Sequence, residues 1–189
     1  MKDASEITKS LLKIHAFPEE PLRLFMDKLS YRTLNKKELL LREQDLSDKL
    51  VFIITGSLRS FRKTDQGELT LNFFTEHNWV ADHESLLTQQ VSKNCIEAAE
   101  RSHIASISLT DIHQLMDVYP GFRMLNALIA DFAISPAHLT SILSKNPDER
   151  YRELLQKNPQ WINRFPQMQI ASYLGMTPET LSRVRARIS

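Results

Sequence analysis

Cysteine, glycine and long apolar runs are what this chain has least of. Its 189 residues include one cysteine and four glycines. A single cysteine, Cys95, excludes a disulfide framework or a four-cysteine metal cluster within one chain, and it fits a reducing compartment. Its expected role is that of a small buried apolar residue at a strand start. No apolar stretch is long enough to cross a bilayer, and the opening MKDASEITKS lacks the hydrophobic region of a signal peptide. A cytoplasmic protein with no membrane contact is therefore expected. Neither a Walker loop nor a dinucleotide fingerprint is present, and no nucleophile stands beside a base in a catalytic pattern, so no enzyme is expected. The histidines His77, His83 and His103 lack the His-x-His pair with a following glutamate that a β-barrel metal site needs. No metal and no assignable cofactor follow from the sequence; a small-molecule effector of unknown identity is left open.

Strong net charge is also missing. The whole chain carries only +1, with 42% hydrophobic and 25% charged residues, ordinary values for a globular protein. The distribution is less even. From Arg150 onward seven bases stand against two acids, a local balance of +5, so the preceding residues carry −4. A basic end on a mildly acidic body is a usable footprint for nucleic acid.

That basic end contains the most specific stretch, Gln167–Ala186, QMQIASYLGMTPETLSRVRA. Ile170, Ala171 and Leu174 make the apolar face of a first helix. Gly175 supplies a turn with positive φ, which costs a residue without Cβ little. Thr177 is placed as the N-cap of a second helix, Pro178 at its first position and Glu179 in its first turn. Leu181, Val184 and Ile188 recur at helical spacing and face inward. Pro178, Glu179, Ser182, Arg183 and Ala186 are left outside. This pattern predicts a helix-turn-helix whose second helix enters the major groove of double-stranded DNA. An ordinary helical hairpin is the competing reading, and the alternating Arg183, Arg185 and Arg187 speak against it.

The rest of the chain reads as follows. Ala4–His15 and Pro21–Tyr31 are expected to be amphipathic helices. From Lys37 the segments KKELLLRE, KLVFIITG, SLRSFRK and ELTLNFF, then CIEAAE and HIASIS, are short, apolar and rich in β-branched residues, with a hairpin turn at Asp65-Gln66-Gly67. They predict an antiparallel β-roll or jelly roll. Thr75–Asn94 is polar, with a short helix expected near His83–Leu87, and is read either as a functional loop or as a surface connection. Thr110–Tyr119 is a further helix. Phe122–Leu143 is a long apolar helix kinked or divided at Pro136, expected to pair with its copy in a two-fold homodimer. Ser144–Asp148 is a hinge, and Asp148–Asn158 another helix. The fold class is α+β: residues 1–109 an N-terminal β-roll sensor domain with flanking helices, 110–145 connecting and dimerisation helices, and 146–189 a C-terminal helix-turn-helix domain.

This order, and above all IASYLGMTPETLSRVRARI, resembles the Crp/Fnr family of bacterial transcription regulators, in the form common among Bacteroidetes members. VFIITGSLRSFR, IASISLTDIHQLMDVYP and DERYRELLQKNP add weaker matches. The resemblance implies a homodimer through 122–143 that binds DNA, with RNA polymerase a further partner. It carries base-reading roles onto Glu179 and Arg183 and a phosphate contact onto Thr180. Thr177, Pro178, Ser182, Arg185 and Arg187 complete the candidate DNA-binding set, with Pro178 standing where the family often has arginine. For the sensor it points to Ala81-Asp82 and Ser92-Lys93 in place of the Gly-Glu and Arg-Ser pairs that hold a cyclic nucleotide, and to Ala137 and His138 near the base. Lysine does not replace arginine at a bidentate phosphate site, so no response to cyclic AMP is expected. The alternative function is a ligand-binding or protein-interaction module that has lost DNA binding.

Overall fold

The computed structural model describes residues 2–126 and 144–188. Two compact units emerge from the chain: residues 1–58 with 74–133, and residues 59–73 with 134–189. The expected dimerisation run from residue 127 to Leu143, with Pro136, Ala137 and His138, lies outside the described residues.

The first unit opens with α1 (Lys2–Leu12) and α2 (Glu19–Asp27). Where the sequence pattern extends the second helix to Tyr31, the chain instead turns and forms strand β1 (Ser30–Leu34). Four of its five side chains are exposed, so no apolar alternation announces it; its pairing with a later strand holds it in place. β2 (Leu39–Leu41), β3 (Lys49–Thr55), β6 (Trp79–Val80), β7 (Cys95–Ala98) and β8 (Ser102–Ser108) follow, with the short helix α3 (His83–Thr88) before β7. One sheet has the order β1-β8-β3-β6. Its strands pair antiparallel, Val51 opposite Ser106 and Phe52 opposite both Ala105 and Trp79. β2 pairs antiparallel with β7.

Leu50, Phe52 and Ile54 on one face of β3 join Ala105 and Ile107 in a core with α1, α2 and helix α4 (Leu109–Val118). Aromatic rings close that core: Phe25 lies 5.9 Å from Phe122 and 6.2 Å from Trp79, whose indole N–H donates to Ser10 Oγ at 2.9 Å. Val51 and Ile53 on the other face join Leu34, Leu41, Val80, Ile96 and Ile104 in a second core. Cys95 is buried, as its apolar role requires.

Among its described residues, the second unit combines a β-hairpin with four helices. Strands β4 (Leu58–Thr64) and β5 (Gly67–Phe74) are sheet neighbours joined by the tight turn at Asp65-Gln66; the unit takes residues 59–73 of them. Helices α5 (Pro147–Lys157), α6 (Trp161–Arg164), α7 (Gln167–Tyr173) and α8 (Pro178–Ile188) complete it. α5 starts on a capping box in which the Asn146 side chain accepts from Glu149 N–H and the Glu149 carboxylate accepts from Asn146 N–H, both at 3.0 Å. Phe61, Leu71, Phe73, Tyr151, Leu154, Trp161, Phe165, Ile170, Ala171, Leu174, Leu181 and Val184 are buried apolar residues of the second unit.

Gly56 ends β3 at φ +93°, and a Cβ there would stand 2.6 Å from the Ser102 Cα. Both the backbone angle and the close approach demand glycine. Gly56→Ala is expected to lower stability by about 1–3 kcal/mol, read as a fall in the urea midpoint at unchanged slope.

Candidate functional site

The two candidate regions lie in separate units. In the second unit, α7 ends in a turn that satisfies its carbonyls in sequence. Met176 N–H donates to Ala171 O at 3.0 Å and Gly175 N–H to Ser172 O at 3.1 Å, with Gly175 at φ +62°. This is the Schellman pattern, and it places a left-handed residue where glycine stands. Two carbonyls beyond it are taken by one side chain. Arg150 Nη1 donates to Leu174 O at 2.9 Å and to Gly175 O at 3.1 Å, while its Nε donates to Lys145 O at 2.8 Å. A cation at the negative end of α7 is also favoured by the helix dipole. Arg150 thus ties the residues just before α5 to the turn between α7 and α8. It had been legible only as one base among several in the C-terminal stretch.

α8 begins as its sequence dictates. Thr177 Oγ1 accepts from Thr180 N–H at 3.2 Å, Pro178 holds the first position and Gln167 Nε2 reaches Pro178 O at 3.3 Å. Leu181 and Val184 are buried, α8 packs on α5 and α7, and Ile188 is half-buried. The opposite face is open: Thr177, Glu179, Ser182, Arg183, Ala186 and Arg187 are exposed, while Pro178, Thr180 and Arg185 are half-buried. Glu179 is held below the usual carboxylate range by its own backbone N–H, then by the Thr177 hydroxyl and the nearby Arg183 charge. It is an ionised acceptor at neutral pH. Arg187 pairs with Asp148 at the start of α5, so its charge is engaged inside the unit.

In the first unit, Ala81, Asp82, Ser92 and Lys93 fall around α3, and three of the four are buried. Asp82 caps α3: one carboxylate oxygen accepts from Ser85 N–H at 2.9 Å, the other from Asn94 Nδ2 at 2.6 Å. Its backbone N–H donates to Ser47 Oγ at 3.3 Å, and Ser47 N–H donates to Ser85 Oγ at 2.9 Å. The Ser92 hydroxyl accepts from Asn94 N–H at 2.9 Å and donates to Asn94 O at 3.1 Å. The region is a closed polar network, its groups satisfied by one another. Lys93 points away from it, its side chain 67% exposed and 3.6 Å from Glu84. Ser47, Ser85 and Asn94, which complete the network, escaped the sequence reading, because small polar residues carry no signature of a distant partner. A neighbouring cleft of about 160 Å³ is lined by Leu41, Val51, Ala81, Ile96 and Ile104, with Arg32 and Lys49 on its wall. That is smaller than the roughly 300–1,000 Å³ of a drug-sized ligand site. Among the described residues, no group of three or more His, Cys, Asp or Glu side chains could hold a metal ion, and no helix is long and apolar enough to cross a membrane.

Residues 31–119 match the sequence model of the cyclic nucleotide-binding domain family. No curated protein matches the chain. Its fold is similar to that of FixK2 from Bradyrhizobium japonicum, with a TM-score of 0.73 and 17% identity over 85% of this chain and 84% of that one. It is similar to CLP of Xanthomonas campestris, described as a c-di-GMP responsive global regulator, with a TM-score of 0.69 and 15% identity over 90% and 91%. A Eubacterium rectale protein described as a transcriptional regulator of the crp/fnr family gives 0.67 and 20% identity over 91% and 83%. At these identities the likeness is one of fold: a cyclic-nucleotide-binding-domain β-roll in an α+β chain built like Crp/Fnr regulators.

Arg150→Met removes three donated bonds, two of them to the Leu174 and Gly175 carbonyls of the turn after α7. A loss of about 1–3 kcal/mol is expected, seen as a lower urea midpoint for the variant, with retained far-UV circular dichroism before the transition.

Proposed function

We propose that this protein is a sequence-specific, DNA-binding transcription regulator of the Crp/Fnr type, acting as a homodimer in the cytoplasm and not responding to cyclic AMP. The observation that carries the reading is the outer face of α8. Glu179, Ser182 and Arg183 stand exposed on a helix whose other side is buried through Leu181 and Val184. Arginine there suits bidentate donation to guanine N7 and O6, and an ionised glutamate suits the amino group of cytosine. Thr177 and Thr180 sit at the N-terminus of α8, suited to phosphate contacts, with Pro178 and Ser182 beside the base-reading pair. Arg185 is a further candidate for phosphate; the Asp148 pairing makes Arg187 the weaker one.

In this reading residues 1–109 are the sensor domain, 110–145 the connection through which two copies associate and 146–189 the reading domain, with RNA polymerase as a further partner. The helix pair would be a helix-turn-helix of the Bacteroidetes form, and the chain would have no catalytic activity. The closed network around Asp82 supports the absence of a cyclic AMP response. Asp82 is buried with both carboxylate oxygens engaged by Ser85 and Asn94, which disfavours its use by a ribose hydroxyl, and Lys93 is exposed beside Glu84. An effector of other chemistry remains compatible with the sensor.

Fluorescence anisotropy with a duplex selected from a random library by the wild-type protein tests the DNA reading. Wild type is expected to bind with affinity that falls steeply as salt rises, since phosphate contacts release counterions. Arg183→Ala is expected to lose about 1–3 kcal/mol of discrimination, roughly 5- to 150-fold, while remaining folded and in the same oligomeric state. An unchanged site preference would remove Arg183 from the interface. Cyclic AMP at millimolar concentration is expected to leave the melting temperature unmoved, because a ligand that does not bind the native state adds no stability. A clear rise would overturn that part of the reading.

A further inference from the structure

β5 is an edge strand, and the groups it would offer to a neighbouring strand are met by a side chain from α7. The Ser172 hydroxyl accepts from Thr70 N–H at 2.9 Å and donates to Glu68 O at 2.9 Å. A C=O and the N–H two residues on point to the same side of a strand, so one hydroxyl, which can both give and take a hydrogen bond, completes that rung. Three residues further on, Phe73 is buried among the aromatic rings of the helical part. It stacks on Phe165 at 4.1 Å between centroids, meets Trp161 edge-on at 5.2 Å and lies 5.6 Å from Tyr173. Burial, with the Glu153 charge behind it, pushes the Tyr173 hydroxyl up to about 12, so it stays a neutral phenol. The hairpin is itself braced. Arg59, 3% exposed on β4, pairs with the Glu68 carboxylate, reaches Thr70 Oγ1 at 3.4 Å and lies 4.3 Å over the Phe61 ring.

These contacts grip α6 and α7 and not α8. The outer face of α8 is left exposed, so the clasp does not compete with a ligand for that face. α7 is joined to α8 by the glycine turn whose carbonyls Arg150 holds, and the two helices pack together. Fixing α7 therefore fixes the direction in which Glu179 and Arg183 point. We propose that the β4–β5 hairpin is a positioning element for the reading helix, with Ser172 and Phe73 as the positioning residues. They preorganise α7–α8 and spare the chain an ordering cost on binding DNA. This rests on the DNA-binding reading above.

The test uses the full-length protein as wild type, Ser172→Ala and Ser172→Thr, with the wild-type-selected duplex and a random duplex as control. Hydrogen exchange at the Thr70 amide and the thermal transition are followed in parallel. Ser172→Ala is expected to speed Thr70 exchange, to leave the thermal transition close to that of wild type, and to weaken binding of the selected duplex about two- to tenfold, the range for one or two neutral hydrogen bonds. Ser172→Thr, which keeps the hydroxyl, is expected to restore both exchange and binding. Phe73→Leu, which stays apolar but loses the ring contacts, is expected to weaken binding in the same direction. Unchanged Thr70 exchange in Ser172→Ala would show that the clasp does not form. Faster exchange with equal or tighter DNA binding would overturn positioning and leave the DNA reading standing. A wild type that binds selected and random duplex alike would overturn the DNA reading and, with it, the role given to the clasp.

Discussion

The first unit depends on the antiparallel ladder between β3 and β8. β3 is buried along its whole middle, and its successive side chains enter different cores: Leu50, Phe52 and Ile54 one, Val51 and Ile53 the other. Because side chains alternate with period two, a slip of one residue would exchange the contents of the two cores. That makes the register of β3 against β8 a strong constraint. From it follow the places of β1, hydrogen-bonded to the outer side of β8, and of β6, paired to β3 just before α3.

The region at α3 is organised by its own buried polar groups. An aspartate preceding a short helix is an N-cap before it is anything else. Here Ser85 and Asn94 engage both of its oxygens, and Ser47 and Ser92 extend the network. Buried polar groups that satisfy one another rigidify the loop. A competing ligand must replace each bond it breaks.

In the second unit the same principle works at helix ends. The Schellman turn, the Arg150 donations and the Thr177 cap each meet backbone groups that a short helix would otherwise leave orphaned. Seven residues of α7 form too few internal hydrogen bonds to be stable alone. Its order comes from Ile170, Ala171 and Leu174 beneath it, from Arg150 at one end, and from the hairpin that Ser172 and Phe73 meet along its side.

Much of this was legible in the amino-acid sequence, wherever the cause is local. β-branched runs around Val51–Thr55 and Ile104–Ser108 dictate strands. Thr177 caps the helix that follows it, and Gly175 marks the turn because only a residue without Cβ takes that angle freely. The exposed arginine at position 183 follows from helical periodicity once Leu181 and Val184 are buried. Tertiary structure decided what depends on distant partners. β1 is a strand because β8 is beside it, not because SYRTL alternates. Asp82 is occupied because Asn94 and Ser85 fold onto it, and Ser172 becomes a bridge because Glu68 and Thr70, more than one hundred residues earlier, lie within reach of its hydroxyl. Capping and periodicity act within a few residues and can be read along the chain, whereas a hydrogen-bond partner across the fold exists only after the chain has closed upon itself.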